Sequence, residues 1–136
     1  MSLFIPYSRA TILIPSGPTS DPERYHLFIV INDPVPHSGE GKVLLVSVST
    51  VKTQSYYDQT CLLSVGSHEF IKRDSFVDYG KARIETVQKL MDGVSQGKLI
   101  PKQPMDDEPF QRVCAGLFSS PHTKKKIRQF LGKLTG

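Results

Sequence analysis

Residues 42–51, KVLLVSVSTV, carry the pattern that decides the fold of this 136-residue chain. The stretch begins as an unbroken apolar run and then alternates, so that Val46 and Val48 share one face while Ser47 and Ser49 share the other. Such a pattern is typical of a β-strand that is buried on both faces at its start and half exposed at its end. The small hydroxyl-bearing side chains therefore mark the exposed end.

Three further apolar runs indicate strands around this one: residues 10–14 (ATILI), 26–31 (HLFIVI) and 60–65 (TCLLSV). Loops rich in proline and glycine separate the first three runs, and no helical pattern lies among the four. Strands that follow one another without a crossover helix pair antiparallel. We therefore predict an α+β protein whose first part, about residues 8–80, is a small, strongly bent antiparallel β-barrel.

Beyond about residue 80 the apolar period changes from two to nearly four. Residues 81–92 predict a short amphipathic helix, Asp106 or Asp107 can cap a second helix, and Ser120 followed by Pro121 predicts the start of a third. A short strand stopped by Pro101 lies between the first two helices. At this length the whole chain, residues 1–136, is predicted to form one domain.

The net charge of +4 is unevenly distributed. Residues 1–120 hold 12 Lys and Arg against 13 Asp and Glu, whereas the last 16 residues hold five basic residues and no acid. The five are Lys124, Lys125, Lys126, Arg128 and Lys133. A basic segment of this kind attracts phosphate backbones, although it is equally the pattern of a docked helix with a solvated face.

Several classes of protein are disfavoured by the composition. No apolar run approaches the 18 residues of a membrane span, and the N-terminus lacks the features of a signal peptide. Two cysteines are too few for a disulfide framework and favour reduced thiols, as in the cytoplasm. The four histidines are scattered without ligand spacing. The sequence thus predicts a cytoplasmic protein with no membrane segment, no metal and no cofactor.

Polar and titratable side chains are concentrated in residues 56–83, which predicts a polar site in this part of the fold. Cleavage of RNA would need few catalytic groups from the protein, because the 2′-hydroxyl of the RNA is itself the nucleophile. A general base, a general acid and cations that stabilise the phosphate charge suffice. His26 or His68 is the candidate base or acid, since imidazole titrates closest to neutral pH. The candidate phosphate-binding groups are hydroxyls and cations: Ser49, Thr50, Thr60, Lys72, Arg73, Arg83 and the C-terminal Lys124, Lys125 and Arg128.

Two other functions remain open from the residues alone. Cys61 and His68 have the composition of a nucleophile–base pair, in which the imidazole would raise the thiolate fraction. The apolar neighbours of Cys61 instead favour a buried, inert thiol. Alternatively, the polar segment fixes the fold or binds a partner protein, and the chain is a non-enzymatic interaction module.

The order of elements resembles the MazF/PemK/Kid family of plasmid-maintenance toxins. The similarity lies in four stretches, HLFIVIND, VLLVSVSTV, DSFVDYGKARIETVQKL and GKLIPKQPMDDEPFQRVCAGL, and covers roughly residues 10–118. It rests on element order and period, since no diagnostic motif is present. The family's Arg-Pro after the first loop is replaced here by Arg24-Tyr25-His26, and the last helix is additional.

The resemblance implies a compact SH3-like β-barrel with helices, which usually forms a homodimer. It also implies metal-independent cleavage of single-stranded RNA and neutralisation by an antitoxin. Carried over by position, Arg24 or His26 would take the role of the family's arginine, and Ser49 or Thr50 would be its strand-end hydroxyl residue. The predicted catalytic residues are therefore His26, His68, Arg24 and Thr50.

Overall fold

The computed structural model describes residues 4–17, 20 and 24–135. Within them the protein is α+β: seven strands form one strongly curled antiparallel sheet, a half-barrel, and three helices follow in the C-terminal part. The strands are β1 (Thr11–Pro15), β2 (Tyr25–Val30), β3 (Val35–His37), β4 (Glu40–Thr50), β5 (Leu62–Leu63), β6 (Ser75–Thr86) and β7 (Ile100–Lys102). The helices are α1 (Val87–Ser95), α2 (Asp107–Ser119) and α3 (Lys125–Thr135). The predicted fold class is confirmed.

The sheet follows the order β5-β6-β4-β2-β1-β7, and β3 pairs with the first part of β4. All of these pairings are antiparallel. The four apolar runs that predicted strands lie in β1, β2, β4 and β5, as expected. The last run is strand over only two residues. Pro101 lies within β7, which is an edge strand and therefore tolerates a residue without an N–H.

Two helix starts were placed too early from the sequence. Strand β6 continues to Thr86, because Ile84 and its neighbours pair with β4, and α1 begins only at Val87. The Thr86 hydroxyl then caps the helix by accepting a hydrogen bond from the Lys89 N–H at 3.1 Å. Likewise α3 begins at Lys125, and the residues after Ser120 form a turn instead.

Strand β6 contains an irregularity that bends the sheet. Leu45 pairs with Arg83 and Ser47 with Asp78, so a step of two residues on β4 faces a step of five on β6. An odd number of residues would normally place Asp78 and Arg83 on opposite faces of a strand. The additional residues of the bulge restore both side chains to the same face.

Both faces of the sheet are covered by helices. On one face α2 and α3 pack against Leu27, Leu44 and Val46 among others, forming the larger core. On the opposite face α1 packs against a smaller cluster that includes Phe28 and Leu45. This explains the continuous apolar runs of β2 and β4, whose alternate residues belong to different cores. We call the second surface the α1 face.

Tyr79 fixes α2 against the bulge of β6. Its side chain is fully buried, and its hydroxyl donates a hydrogen bond to the Val113 carbonyl at 2.7 Å. The ring approaches the helix at Gly116, where an added Cβ would lie only 1.9 Å from the Tyr79 Oη. Close approach therefore requires a residue without a side chain at this position.

Candidate functional site

Helix α1 covers only part of the α1 face, and the remainder is an open, polar surface over β2, β4 and β6. Three adjoining cavities of about 260, 470 and 330 Å³ lie along it, and His26 lines all three. The first cavity extends past the ends of β2 and β4, where Leu27, Val48 and Ile71 of the larger core also line it. Ser49 and Thr50 line the first two, whereas Ser47 lines the third. We call the surface formed by these three cavities the basic groove, with His26 at its centre.

The charge of the basic groove is strongly asymmetric. Among the described residues that line it, eight carry Lys or Arg side chains and one, Asp78, is acidic. The cations are Arg24, Lys52, Lys72, Arg73, Lys81, Arg83, Lys124 and Lys126. Cations that converge on a concave surface raise the local concentration of anions. The groove is therefore suited to a polyanion that extends across several residues.

Hydrogen bonds orient the imidazole of His26. Its Nδ1 lies 2.9 Å from the Ser16 Oγ, and that hydroxyl is also 3.2 Å from the Ile14 carbonyl oxygen. When the single Ser16 hydroxyl hydrogen is on the Ile14 carbonyl, the Ser16 oxygen accepts the Nδ1–H of His26. In that tautomer the Nε2 carries the lone pair with which a general base accepts a proton.

The surroundings of His26 also favour its neutral form. Partial burial lowers its pKa below the usual 6.5, and the nearby charges of Lys81, Arg24 and Lys52 lower it further. The Asp78 carboxylate opposes them by raising the pKa, with a smaller effect than Lys81 and Arg24. His26 is consequently unprotonated at neutral pH and able to accept a proton.

Arg83 lies at one end of the groove, over an aromatic ring. Its guanidinium carbon is 4.7 Å from the centre of the Phe28 ring, and its Nε is 3.5 Å from a Glu85 carboxylate oxygen. These contacts hold the cation in place, and 40% of its side chain stays exposed. An anion in the groove can thus reach Arg83 without moving it.

Aromatic side chains line the middle of the groove. Tyr57 and Phe76 lie with ring centres 5.2 Å apart and tilted by 36°, and Tyr56 is 83% exposed beside them. The Tyr56 hydroxyl is within 3.0 Å of the His122 Nε2, which anchors one end of that side chain. Exposed rings beside cations are what single-stranded nucleic-acid sites use to stack bases.

A buried carboxylate fixes the loop that carries these tyrosines. Asp58 accepts a hydrogen bond from the Ser120 hydroxyl at 2.6 Å and two from Thr60, from its N–H at 2.9 Å and its hydroxyl at 2.5 Å. Burial alone would raise the pKa of Asp58, but these hydrogen bonds outweigh it and the pKa is lowered. Asp58 therefore connects the loop that carries Tyr56 and Tyr57 to the C-terminal end of α2 by hydrogen bonds.

The structure brings most of the predicted site residues together. Arg24, His26, Ser49, Thr50, Lys72 and Arg73 line the first cavity, and Arg83 and Lys124 line the third. Strand pairing explains this convergence, because β2 and β4 lie side by side and place their exposed ends at the same edge of the sheet. These positions are scattered over about 100 residues of sequence.

His68 lies outside the groove, so the geometry does not support its predicted catalytic role. Only 3% of its surface is exposed, and its Nε2 donates to the Gln103 carbonyl at 2.7 Å, with the Thr11 hydroxyl 3.1 Å away. Its Nδ1 accepts the Phe70 N–H at 3.0 Å. Because both ring nitrogens are engaged, His68 acts as a structural link between segments.

Three of the other predicted phosphate-binding residues do not line the groove. Thr60 donates its hydroxyl to Asp58, and Lys125 projects from α3 outside the three cavities. Arg128 donates to the carbonyls of Phe118 at 2.9 Å and Ser120 at 2.6 Å. It caps the C-terminal end of α2, where unpaired carbonyls and the helix dipole favour a cation.

Cys61 is a core residue. Only 4% of its surface is exposed, and burial raises the pKa of its thiol. The imidazole of His68 has no free nitrogen with which to act as its base. This geometry does not support the thiol-dependent alternative.

Several groove residues were not among the candidate site residues from the sequence: Ser16, Tyr57, Phe76, Asp78 and Lys81. Phe76 and Asp78 alternate with the core residues Val77 and Tyr79, which is a strand signal. Interpreting residues 75–86 as a strand would have placed both beside the hydroxyl end of β4. Ser16 and Lys81 carry no comparable sequence signal.

The described residues contain no cluster of three His, Cys, Asp or Glu side chains arranged to hold a metal ion. None of the helices in the described part of the chain has the length and apolar character to cross a membrane. In comparisons with known proteins, neither a family model nor a curated protein matches this sequence.

Proposed function

We propose that this protein binds single-stranded RNA in the basic groove and cleaves it without a metal ion, as a toxin of the MazF/PemK/Kid type would. The observation that carries the proposal is the position of His26. It lies where the three cavities meet, its Nδ1 contacts the Ser16 hydroxyl, which leaves the Nε2 outside that contact, and cations surround it. An RNA strand whose phosphates contacted these cations would lie beside the imidazole of His26.

In the proposed reaction, the Nε2 of His26 removes the proton of a 2′-hydroxyl. The 2′-oxygen attacks the adjacent phosphorus, the bond to the 5′-oxygen breaks, and solvent water protonates the leaving oxygen. The products are a 2′,3′-cyclic phosphate and a 5′-hydroxyl. Arg24 and Lys81, whose charges act on His26, stabilise the negative charge of the phosphorane.

The strand-end hydroxyls and the remaining cations position the substrate. Ser49 and Thr50 donate hydrogen bonds to phosphate oxygens next to the scissile bond. Lys72 and Arg73 at one end of the groove, and Arg83 and Lys124 at the other, bind the flanking phosphates. The proposed toxin class further implies a homodimer and an antitoxin protein as partners.

The test is cleavage of a mixed-sequence single-stranded RNA by the purified protein in the presence of EDTA. We expect products that end in a 2′,3′-cyclic phosphate. His26→Ala should lower the rate by roughly 10²–10⁴-fold, the usual contribution of a positioned acid or base. His37→Ala is the matched control, because that imidazole packs on Phe130 away from the groove and its loss should leave the rate unchanged.

The pH dependence gives an independent check on His26. Because the pKa of His26 is lowered, the acid limb of the rate profile should fall below pH 6.5. Cleavage by the His26→Ala variant at the wild-type rate would reject His26 as the base. If the wild-type protein binds RNA in a salt-dependent manner but does not cleave it, the groove is a binding site only. If the wild-type protein neither binds nor cleaves RNA, the proposal is rejected.

A further inference from the structure

Asp78 is an unusual residue in a groove that binds phosphate. It is the single acid among the described residues lining the three cavities, and it opposes the attraction that the cations exert on an anion. Its only charged contact among those residues is with the Lys81 Nζ at 3.7 Å, and that lysine is 65% exposed. A pair at this distance whose lysine is largely exposed is weak. The carboxylate oxygens therefore retain room to accept hydrogen bonds.

The neighbours of Asp78 are suited to a nucleobase. Phe76 precedes it by two residues on β6 and shares its face, and Tyr57 lies against Phe76. Asp78, Phe76 and Tyr57 also line a small cavity of about 170 Å³ that opens beside the groove, and the other lining residues are Tyr56, Asp58, Gly80 and His122. The Asp58 carboxylate already accepts hydrogen bonds from Thr60 and Ser120, which leaves Asp78 as the available acceptor. Rings offer a stacking surface, and the carboxylate accepts hydrogen bonds at its edge.

From this arrangement, and building on the proposed RNA binding, we infer that Asp78 reads one base of the bound strand and selects guanine. An ionised carboxylate is an acceptor with two oxygens, so it pairs best with two adjacent donors. The Watson–Crick edge of guanine presents N1–H and the N2 amine side by side. Adenine and cytosine present one amine next to an acceptor nitrogen, and uracil presents one N–H between two carbonyl oxygens.

The bulge of β6 keeps the Asp78 carboxylate on the same face of the sheet as the Arg83 guanidinium, while Tyr79 points into the core. The phosphates follow the cations along the groove, and one base turns toward Tyr57 and Phe76. Asp78 is thus a specificity-determining residue, distinct in role from His26.

The experiment measures the affinity of the full chain for fluorescent 12-nucleotide RNA analogues that carry 2′-fluoro groups and so lack the nucleophile. The set is a uridine 12-mer and the same strand with one central guanosine, inosine, adenosine or cytidine. We expect the guanosine strand to bind about 5- to 150-fold more tightly than the uridine strand, the range of a good bidentate contact. Inosine, which lacks the N2 amine, should be intermediate.

Asp78→Asn should abolish the preference for guanosine and strengthen binding of the uridine strand, since it removes a negative charge from the groove. The matched control is Asp92→Asn on α1, an exposed acid paired with Gln88 outside the groove, which should leave the preference intact. Equal affinities of the wild type for all five strands would overturn the inference and leave RNA binding standing. A preference for another base would also overturn the inference. A protein that binds none of the five strands would overturn both the inference and the proposed RNA binding.

Discussion

Replacing Gly116 by Ala tests how closely α2 approaches the sheet. In most helices this change is favourable, by about 1 kcal/mol, because alanine restricts the unfolded chain and glycine does not. Here the new Cβ would lie 1.9 Å from the Tyr79 Oη and 2.5 Å from its Cζ. Both atoms belong to a rigid ring held by the surrounding core, so the side chain or the helix must shift.

The magnitude follows from what that shift breaks. Overpacking of a well-packed core costs about 1–3 kcal/mol. Moving the ring also breaks the 2.7 Å hydrogen bond to the Val113 carbonyl and leaves a buried hydroxyl unpaired, at about 1–3 kcal/mol. After the helix-propensity gain is subtracted, we expect Gly116→Ala to lower the free energy of unfolding by about 1–5 kcal/mol.

The assay is urea denaturation followed by far-ultraviolet circular dichroism, with the slopes compared to confirm a two-state transition. Gly132→Ala in α3 is the matched control, because nothing lies within 4 Å of its added Cβ, and it should stabilise the protein by up to about 1 kcal/mol. In a Tyr79→Phe background the penalty of Gly116→Ala should shrink. A Gly116→Ala protein as stable as the wild type would refute the packing described for this helix.

Three further outcomes are expected. Cys61 should react slowly with iodoacetamide in the folded protein, because burial raises the pKa of its thiol; rapid labelling near neutral pH would contradict this. Replacing Lys124 and Lys126 together with Gln should flatten the salt dependence of RNA binding by a slope of about 1.4, whereas Lys125→Gln should not change it. The lowered pKa of Asp58 stabilises the fold above its unfolded pKa of 3.8, and this contribution is lost as the pH falls through the folded value. Asp58→Asn should therefore flatten the decline of the urea midpoint below pH 4. An unchanged decline would assign the loss of stability to other carboxylates.

The strands were predictable wherever an apolar run had clear ends. Residues 26–31 and 42–51 alternate between two cores, and that requirement alone makes them continuous and apolar. Strand β6 was missed because its bulge breaks the period of two, and residues 84–91 in its second half and beyond also satisfy a helical period. Only pairing with β4, a long-range interaction, decides between the two.

The candidate site was predictable in its residue types and only partly in its members. His26 was identified from the titration range of imidazole, the hydroxyls of Ser49 and Thr50 from their place at a strand end, and Arg24 from the resemblance to the toxin family. His68 has the same chemistry as His26, yet Gln103 and Phe70 occupy both its nitrogens. Those partners are 35 and 2 residues away in sequence, and no local pattern indicates the first.

The bulge in β6 gives the groove an unusual sensitivity to chain length. Deleting one residue between Asp78 and Arg83 leaves a step of four, which places both side chains on one face only if the bulge also straightens, because side chains alternate along a regular strand. If the bulge kept its conformation and the first half of β6 held its register, Arg83 would turn toward the core and Ile84 toward the anion. A one-residue deletion in this interval should therefore abolish RNA binding if the bulge persists, even when every groove side chain is retained, whereas a deletion in the exposed turn at residues 96–98, outside the groove, should be tolerated.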